Sequence, residues 1–220
     1  MDVYEALYTT RAMRRVKSDA IPMDAQQRIM DAAIRAPSGG NAQGWRFLWV
    51  DDKAIRGQLG PIYRDCLSRL WTGVYKDRVD QAEKNPDAPG SAGFRRMRSS
   101  AMWLADNFEV YPLLLFAYGQ GDPTGSSIFP AVWSAQLAAR AEGVGSALTS
   151  VFAFRLAEVN EILGVPKDAG WNFHGCVTFG YPTGKWGVAP RVPVHKVMHR
   201  NQWGAGIGFA LEKPLWPRSS

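Results

Sequence analysis

Cysteine, histidine and long apolar runs are scarce in this chain, and each scarcity closes off a class of function. Cys66 and Cys176 are the two cysteines among 220 residues, and they stand far apart. Without metal-ligand spacing they are neither a disulfide framework nor a zinc site, so two reduced thiols in a cytoplasmic protein are expected. The three histidines are His174, His195 and His199. The last two would share one helical face, but no carboxylate motif joins them, and no metal site is expected. No stretch approaches the ~20 apolar residues of a membrane-spanning helix. The N-terminal residues include Asp2 and Glu5 and no apolar run, which is not the pattern of a signal peptide. Acidic residues are the minority: 26 Lys and Arg against 20 Asp and Glu give a formal net charge of +6. The bases are scattered, apart from an N-terminal cluster and the patch Arg95-Arg96-Met97-Arg98. No helix-turn-helix, zinc-finger or RNA-binding signature accompanies them, so nucleic acid is not an expected partner. The positive surplus remains compatible with a phosphorylated small molecule.

The chain does have the composition of a globular protein, with 46% hydrophobic and 21% charged residues. Its length suits a single domain over residues 1–220. The stretch Ala36-Pro37-Ser38-Gly39-Gly40-Asn41-Ala42-Gln43-Gly44-Trp45-Arg46-Phe47 lies between a helical pattern and an apolar strand-like run. Small residues and amide side chains bring N–H groups, a hydroxyl and carboxamides together without bulk. A phosphate or a polar heterocycle could lie on such a surface; an ordinary surface loop is the alternative. Three arginines, Arg11, Arg14 and Arg15, fall within Thr10-Arg11-Ala12-Met13-Arg14-Arg15-Val16. They read either as solvated charge or as a phosphate clamp, since guanidinium offers a planar fork of donors.

In order, Asp2 to Thr9 predicts a short helix. Asp24 is the expected N-cap of a helix through Arg35, stopped by Pro37 and Gly39. Residues 45–50 predict a strand buried on both faces. Asp51-Asp52 caps a helix from Lys53 towards Trp71. Residues 85–93 form the most linker-like segment, followed by a helix from Phe94 to Leu104. Val110 to Tyr118 predicts a strand entered at Pro112. Ser126 or Ser127 caps a helix over residues 131–141 with Pro130 in its first turn. Leu148 to Val151 is a short connector, Leu156 to Leu163 a helix, and His174 to Tyr181 a strand. The tail from Gly204 to Ser220 has no period and is expected to wrap a neighbour or fray. Alternating helices and apolar strands argue for an α/β or α+β layered fold with a central sheet.

Four regions together resemble the nitroreductase family of FMN-dependent α+β homodimers. The basic segment 10–16 is similar to the family's Arg-Arg-Ser-x-Arg-x-Phe. The loop 36–47 is similar to Ala-Pro-Ser-x-x-Asn-x-Gln-Pro-Trp-x-Phe. Ser127-Ile128-Phe129-Pro130-Ala131 through Gly145-Ser146 is the third region. Gly180-Tyr181-Pro182, Lys185-Trp186-Gly187 and Arg191-Val192-Pro193 form the fourth. Ala12 stands for the family serine, Val16 for the aromatic, and Gly44 for the proline, which would loosen the loop. The resemblance implies an α+β, three-layer α/β/α sandwich with a mostly antiparallel sheet in an intertwined homodimer. A lid over about 63–94 and a C-terminal extension over 204–220 are further expectations.

It also implies a flavin site at the dimer interface. Arg11, Arg14 and Arg191 would hold the FMN phosphate, Ala12 and Met13 would lend backbone contacts, and Lys185 would lie near the phosphate or ribityl chain. Pro37, Ser38, Gly39 and Asn41 would reach the partner subunit's flavin. Thr149, Ser150 and Val151 would run along the pyrimidine edge of the ring. Trp71, Phe129 and Trp133 are candidates to line the substrate pocket, with ordinary core packing as the alternative for each. NADH or NADPH would deliver hydride to flavin N5, and an electron-poor acceptor such as a nitroaromatic or quinone would then take it in ping-pong fashion. No catalytic side chain is required of the protein, because the flavin carries the chemistry. Alternatives within the same fold are a flavin-fragmenting enzyme, a reductive dehalogenase with Tyr75, Lys76 and Arg78 binding a zwitterion, and a non-enzymatic flavin-sequestering protein.

Overall fold

The computed structural model describes residues 1–216; the last four residues of the expected C-terminal extension lie outside them. The chain divides into two compact units, a core unit of Ala12–Lys185 and a terminal unit formed by Met1–Arg11 with Trp186–Ser220.

The core unit is built on a four-stranded antiparallel sheet in the order β1-β2-β4-β3. Its strands are β1 (Trp45–Val50), β2 (Leu113–Gly119), β3 (Gly145–Thr149) and β4 (Asn172–Gly180). Every residue of β2 is buried, as its unbroken apolar run requires of a strand covered on both faces. Side chains alternate across it. Leu114, Phe116 and Tyr118 enter one hydrophobic cluster, while Leu113, Leu115 and Ala117 enter the other. Each fully buried Leu or Phe contributes roughly 1.5–3 kcal/mol against exposure.

The first cluster is closed by α3 (Lys53–Arg69), α4 (Lys76–Lys84), α5 (Ser91–Asp106) and α7 (Leu156–Leu163). Asp52 caps α3 by accepting a hydrogen bond from the Ile55 N–H at 2.9 Å. The second cluster is closed by α2 (Met23–Ala33) and α6 (Ile128–Ala141). Ala131, Ala135 and Ala139 recur on the buried face of α6 and, lacking bulk, let Ile29 and Ala33 of α2 approach it. The three-layer α+β sandwich is therefore the observed fold.

Several boundaries differ from expectation. Pro22, not Asp24, is the N-cap of α2. Asp24 sits in the first turn, where its carboxylate pairs with Arg28 at 2.9 Å. Residues 108–110 form a 3₁₀ turn before β2. Of the connector expected at 148–151, Leu148 and Thr149 end β3, which begins at Gly145, and Val151 opens a 3₁₀ turn over Val151–Arg155. Residues 70–74 continue α3 as a π-helical turn into α4.

The terminal unit carries α1 (Val3–Thr9), capped by Asp2, whose carboxylate accepts from the Glu5 N–H at 2.7 Å. The Ala189 N–H donates to the Tyr8 carbonyl at 3.1 Å. His195 accepts from the Leu211 N–H at 3.1 Å, and the Trp216 ring lies 6.1 Å from that of Tyr8. The described part of the tail is thus tied back to residues of its own unit.

Candidate functional site

The segment after Arg11 runs extended along the sheet. Ala12 bridges Ser146 of β3, and Val16 bridges Pro182 beyond β4. The Met13 N–H donates to the Ser146 carbonyl at 2.9 Å. Two glycines make room for this segment. A Cβ on Gly145 would come within 2.8 Å of the Met13 Cβ, and one on Gly180 within 2.8 Å of Val16. Val16 is buried against that gap, where the family aromatic would be larger. Met13 anchors the strand and has no N–H left to offer a ligand.

Arg14 is half-buried. Its carbonyl accepts a hydrogen bond from the Tyr111 hydroxyl. Its guanidinium lies close enough to act electrostatically on the phenols of Tyr63 and Tyr111. No carboxylate among the described residues pairs with it. The Tyr63 hydroxyl donates to Thr149 Oγ1 at 3.3 Å, at the end of β3. Burial pushes the Tyr63 phenol up to about 12, against the lowering pull of Thr149 and Arg14. Tyr63 and Tyr111 are therefore neutral donors at pH 7. Thr149 Oγ1 also lies 3.5 Å from the Val151 N–H. With that oxygen serving as acceptor, the threonine's own proton is free to point outward. Arg14 and Thr149, 135 residues apart in sequence, thus meet through Tyr63. Nothing in the sequence marked Tyr63, which reads as one more apolar position of α3.

The loop after α2 is a different construction. Gly40, Asn41 and Gln43 hold left-handed backbone, a conformation that small and amide residues tolerate best. Ser38 Oγ accepts from the Gln43 N–H at 3.1 Å. The Gly39 N–H donates to Ser127 Oγ at 3.2 Å, which ties the loop to the start of α6. Gly44 does not loosen the loop, contrary to expectation. A Cβ there would lie 2.6 Å from the Gln120 carbonyl oxygen, and the Gln120 N–H donates to the Gly44 carbonyl at 2.8 Å. The glycine permits a backbone contact that a larger residue would break.

Asp122 organises this corner, although no local pattern marks it. Its carboxylate accepts from the N–H groups of Ser127 at 2.9 Å and Ile128 at 3.0 Å, and from the Ser126 hydroxyl at 3.0 Å. It takes over the capping expected of Ser126 or Ser127, whose side chains make no cap bond. Burial alone would raise its pKa, but these hydrogen bonds more than offset burial and hold the carboxyl below its ordinary value.

The three pocket aromatics do not meet within one chain. Trp71 is buried in the first hydrophobic cluster, packed against Tyr75 at 5.4 Å and Phe94 at 6.1 Å. Phe129 and Trp133 project from α6, on the sheet's other side, and are 41% and 40% exposed. Lys76 is held by Asp80 at 2.6 Å, and the Arg78 guanidinium lies 4.7 Å above the Phe94 ring. Both are engaged within the segment 63–94. Lys185 is exposed in the core unit. Arg11 and Arg191 belong to the terminal unit. There Arg191 lines a cavity of about 410 Å³ with Tyr8, Leu211 and Lys213. Among the described residues no group of three His, Cys, Asp or Glu could hold a metal ion, and no helix is long and apolar enough to cross a membrane.

A three-layer α+β core, with a basic extended segment laid along β3 and a glycine-rich loop before β1, defines the class of protein. Within that class the chain belongs to the nitroreductase family, whose model matches residues 7–181. It is 30% identical over 191 residues to the 5,6-dimethylbenzimidazole synthase of Rhodospirillum rubrum, covering 82% of each chain. It is 25% identical over 201 residues to the iodotyrosine deiodinase of Thermotoga neapolitana, covering 90% of this chain and 96% of that one. A nitroreductase with bound FMN from Desulfitobacterium hafniense superposes with a TM-score of 0.65 at 20% identity, covering 92% of this chain and all of the other.

Proposed function

We propose that the protein is an FMN-dependent oxidoreductase that takes electrons from NADH or NADPH and passes them to an electron-poor small molecule such as a nitroaromatic or quinone. One observation carries this proposal: Arg14 offers a half-buried guanidinium with no carboxylate partner among the described residues, and Thr149, which accepts from Tyr63, keeps its own hydroxyl proton for a ligand. That donor set fits a phosphorylated, polar heterocycle. Arg14, with Lys185, would hold the FMN phosphate, and Ala12 would lie alongside. Thr149, Ser150 and Val151 would face the pyrimidine edge of the ring, and a donor there favours added negative charge. When bound, FMN supplies the reversible two-electron redox chemistry. The protein binds, orients and excludes water.

A homodimer completes this arrangement. Phe129, Trp133, Leu148 and Phe154 are large apolar side chains at least 40% exposed, more than a lone core unit has reason to leave in water. A second copy covering them would bring its Pro37, Ser38, Gly39 and Asn41 to the flavin. It would also let Phe129 and Trp133 of one protomer share a pocket with Trp71 of the other. The test is reconstitution with FMN followed by anaerobic addition of NADH or NADPH. A yellow protein whose flavin band bleaches supports the proposal; a protein that stays colourless, or a band that neither nucleotide bleaches, refutes it.

Flavin fragmentation is a second reading, favoured by the 30% identity to a 5,6-dimethylbenzimidazole synthase. Permanent loss of flavin absorbance on aerating the reduced protein would select it, and full recovery of the band would exclude it. A reductive dehalogenase is a third reading, favoured by the 25% identity to an iodotyrosine deiodinase; for it, Lys76 and Arg78 would have to leave Asp80 and the Phe94 ring to meet a zwitterion.

A further inference from the structure

Adjacent arginines in an extended segment face opposite ways, and here their surroundings differ. Arg14 acts on Tyr63 and Tyr111. The Arg15 guanidinium instead lies 5.8 Å from the Trp103 ring. Its backbone is fixed too, since the Arg15 carbonyl accepts from the Thr183 N–H at 3.0 Å. Arg15 therefore faces α5, where it lines a cleft of about 500 Å³ with Arg95, Arg96, Ser99 and Ser100.

What marks the cleft is that three guanidinium groups meet there with no carboxylate opposite them. Elsewhere in the core unit Arg28, Arg35, Arg69, Arg98 and Arg155 each reach a carboxylate within 3.3 Å, while Arg46, Arg56 and Arg78 lie singly on backbone carbonyls or an aromatic ring. In the cleft, Arg15 rests on an aromatic ring and Arg95 donates to the Pro86 carbonyl at 3.1 Å. No carboxylate among the described residues pairs with Arg15, Arg95 or Arg96. Neutral contacts thus position two of the three charges and compensate none of them. Three like charges held around one cleft repel one another unless an anion joins them. Guanidinium forks and serine hydroxyls are the donors that a tetrahedral dianion takes up.

We infer that this cleft binds a phosphomonoester, and that in the oxidoreductase proposed above the phosphomonoester is the 2′-phosphate of NADPH. The second clause rests on that proposed function; the first does not. The cleft would then select the electron donor, while Arg14 and its neighbours serve the flavin.

The test is calorimetric titration of the purified, FMN-treated protein with adenosine 2′,5′-bisphosphate, adenosine 5′-monophosphate and inorganic phosphate, with Arg95→Gln and Arg96→Gln alongside. Both arginines are exposed, so the substitutions leave the core intact. Saturable binding of the bisphosphate, stronger than that of the monophosphate and weakened about tenfold or more by each substitution, supports the dinucleotide source. Inorganic phosphate binding as tightly as the bisphosphate, with the same loss in the variants, supports a phosphate site whose ligand is free phosphate. Binding that is absent, or unchanged by both substitutions, overturns the inference. Flavin retention separates the two proposals. A protein that binds phosphate but never flavin sinks the oxidoreductase proposal, and one that binds flavin but shows no arginine-dependent phosphate binding sinks this one.

Discussion

The end of β3 and the loop before β1 are both small, polar and close to glycine, yet they are built in opposite ways. At β3 the polar groups are buried and satisfy one another: Tyr63 donates to Thr149, and Tyr111 donates to the Arg14 carbonyl. Arg14 is left with a charge and no carboxylate among the described residues, which under the proposed function would be met by an anion within one chain. In the loop, Ser38, Gly39 and Asn41 are exposed or half-buried, the backbone is left-handed at Gly40, Asn41 and Gln43, and the loop is braced by Ser127 and Gln120. Such a loop presents groups outward. The contrast teaches that one half of the proposed site is complete in a single chain, while the other half makes sense facing a second copy.

The largest test of that contrast removes the charge. Arg14→Ala should lower FMN affinity about a hundredfold, the order expected when a charged, multidentate partner of phosphate is lost. Thermal stability should change little, because it is the Arg14 carbonyl, not its side chain, that holds Tyr111. Fluorescence titration and a melting curve read the two effects separately.

Gly44→Ala attacks the bracing of the loop. Its Cβ would meet the Gln120 oxygen at 2.6 Å, which should cost about 1–3 kcal/mol as overpacking does. A lowered melting temperature reads it, and an unchanged one would show that the loop is loose after all. Tyr63→Phe is milder. It leaves the α3 packing intact and removes one hydrogen bond to Thr149, worth about 1 kcal/mol. Flavin affinity should fall severalfold, with stability lowered by about 1 kcal/mol.

The smallest expected effect is a pH dependence. The Asp122 carboxyl lies below its ordinary value when folded, so the stability it contributes is present in full above about pH 4. That contribution is lost as pH falls through the folded value. Asp122→Asn should flatten the acid limb of the stability profile, as followed by denaturant unfolding between about pH 2 and 5.

Much of the fold was legible because periodicity is local. The apolar run at 45–50 became β1, but not buried on both faces as expected: it is an edge strand, with Arg46 exposed and Phe47, Leu48 and Trp49 half-buried; the helix ending at Gly164 ended there in left-handed backbone. The motifs of segment 10–16 and loop 36–47 were legible as residue types. Their relation was not. Tyr63 joins Arg14 to Thr149 from the middle of α3, and Asp122 caps α6 from five and six residues upstream; neither link leaves a local pattern. α4 was hidden because Tyr75 to Lys84 is short and highly charged, with Val79 and Ala82 as its buried positions. Gly44 was misread because a glycine's meaning depends on the neighbour its missing Cβ would strike, and that neighbour, Gln120, is distant in sequence.

Under the proposed function each flavin site takes Arg14 from one chain and loop 37–44 from another. A mixed-subunit reconstitution tests it directly. Arg14→Ala keeps an intact loop. Gly39→Leu keeps an intact Arg14 and adds bulk where nothing lies within 4 Å of the new Cβ. Each variant alone should bind little FMN. After unfolding together in equal amounts and refolding, half of the dimers would be mixed and each would hold one intact site, so about a quarter of the wild-type flavin binding should return. Mixed dimers that form yet recover no flavin binding would contradict the shared site.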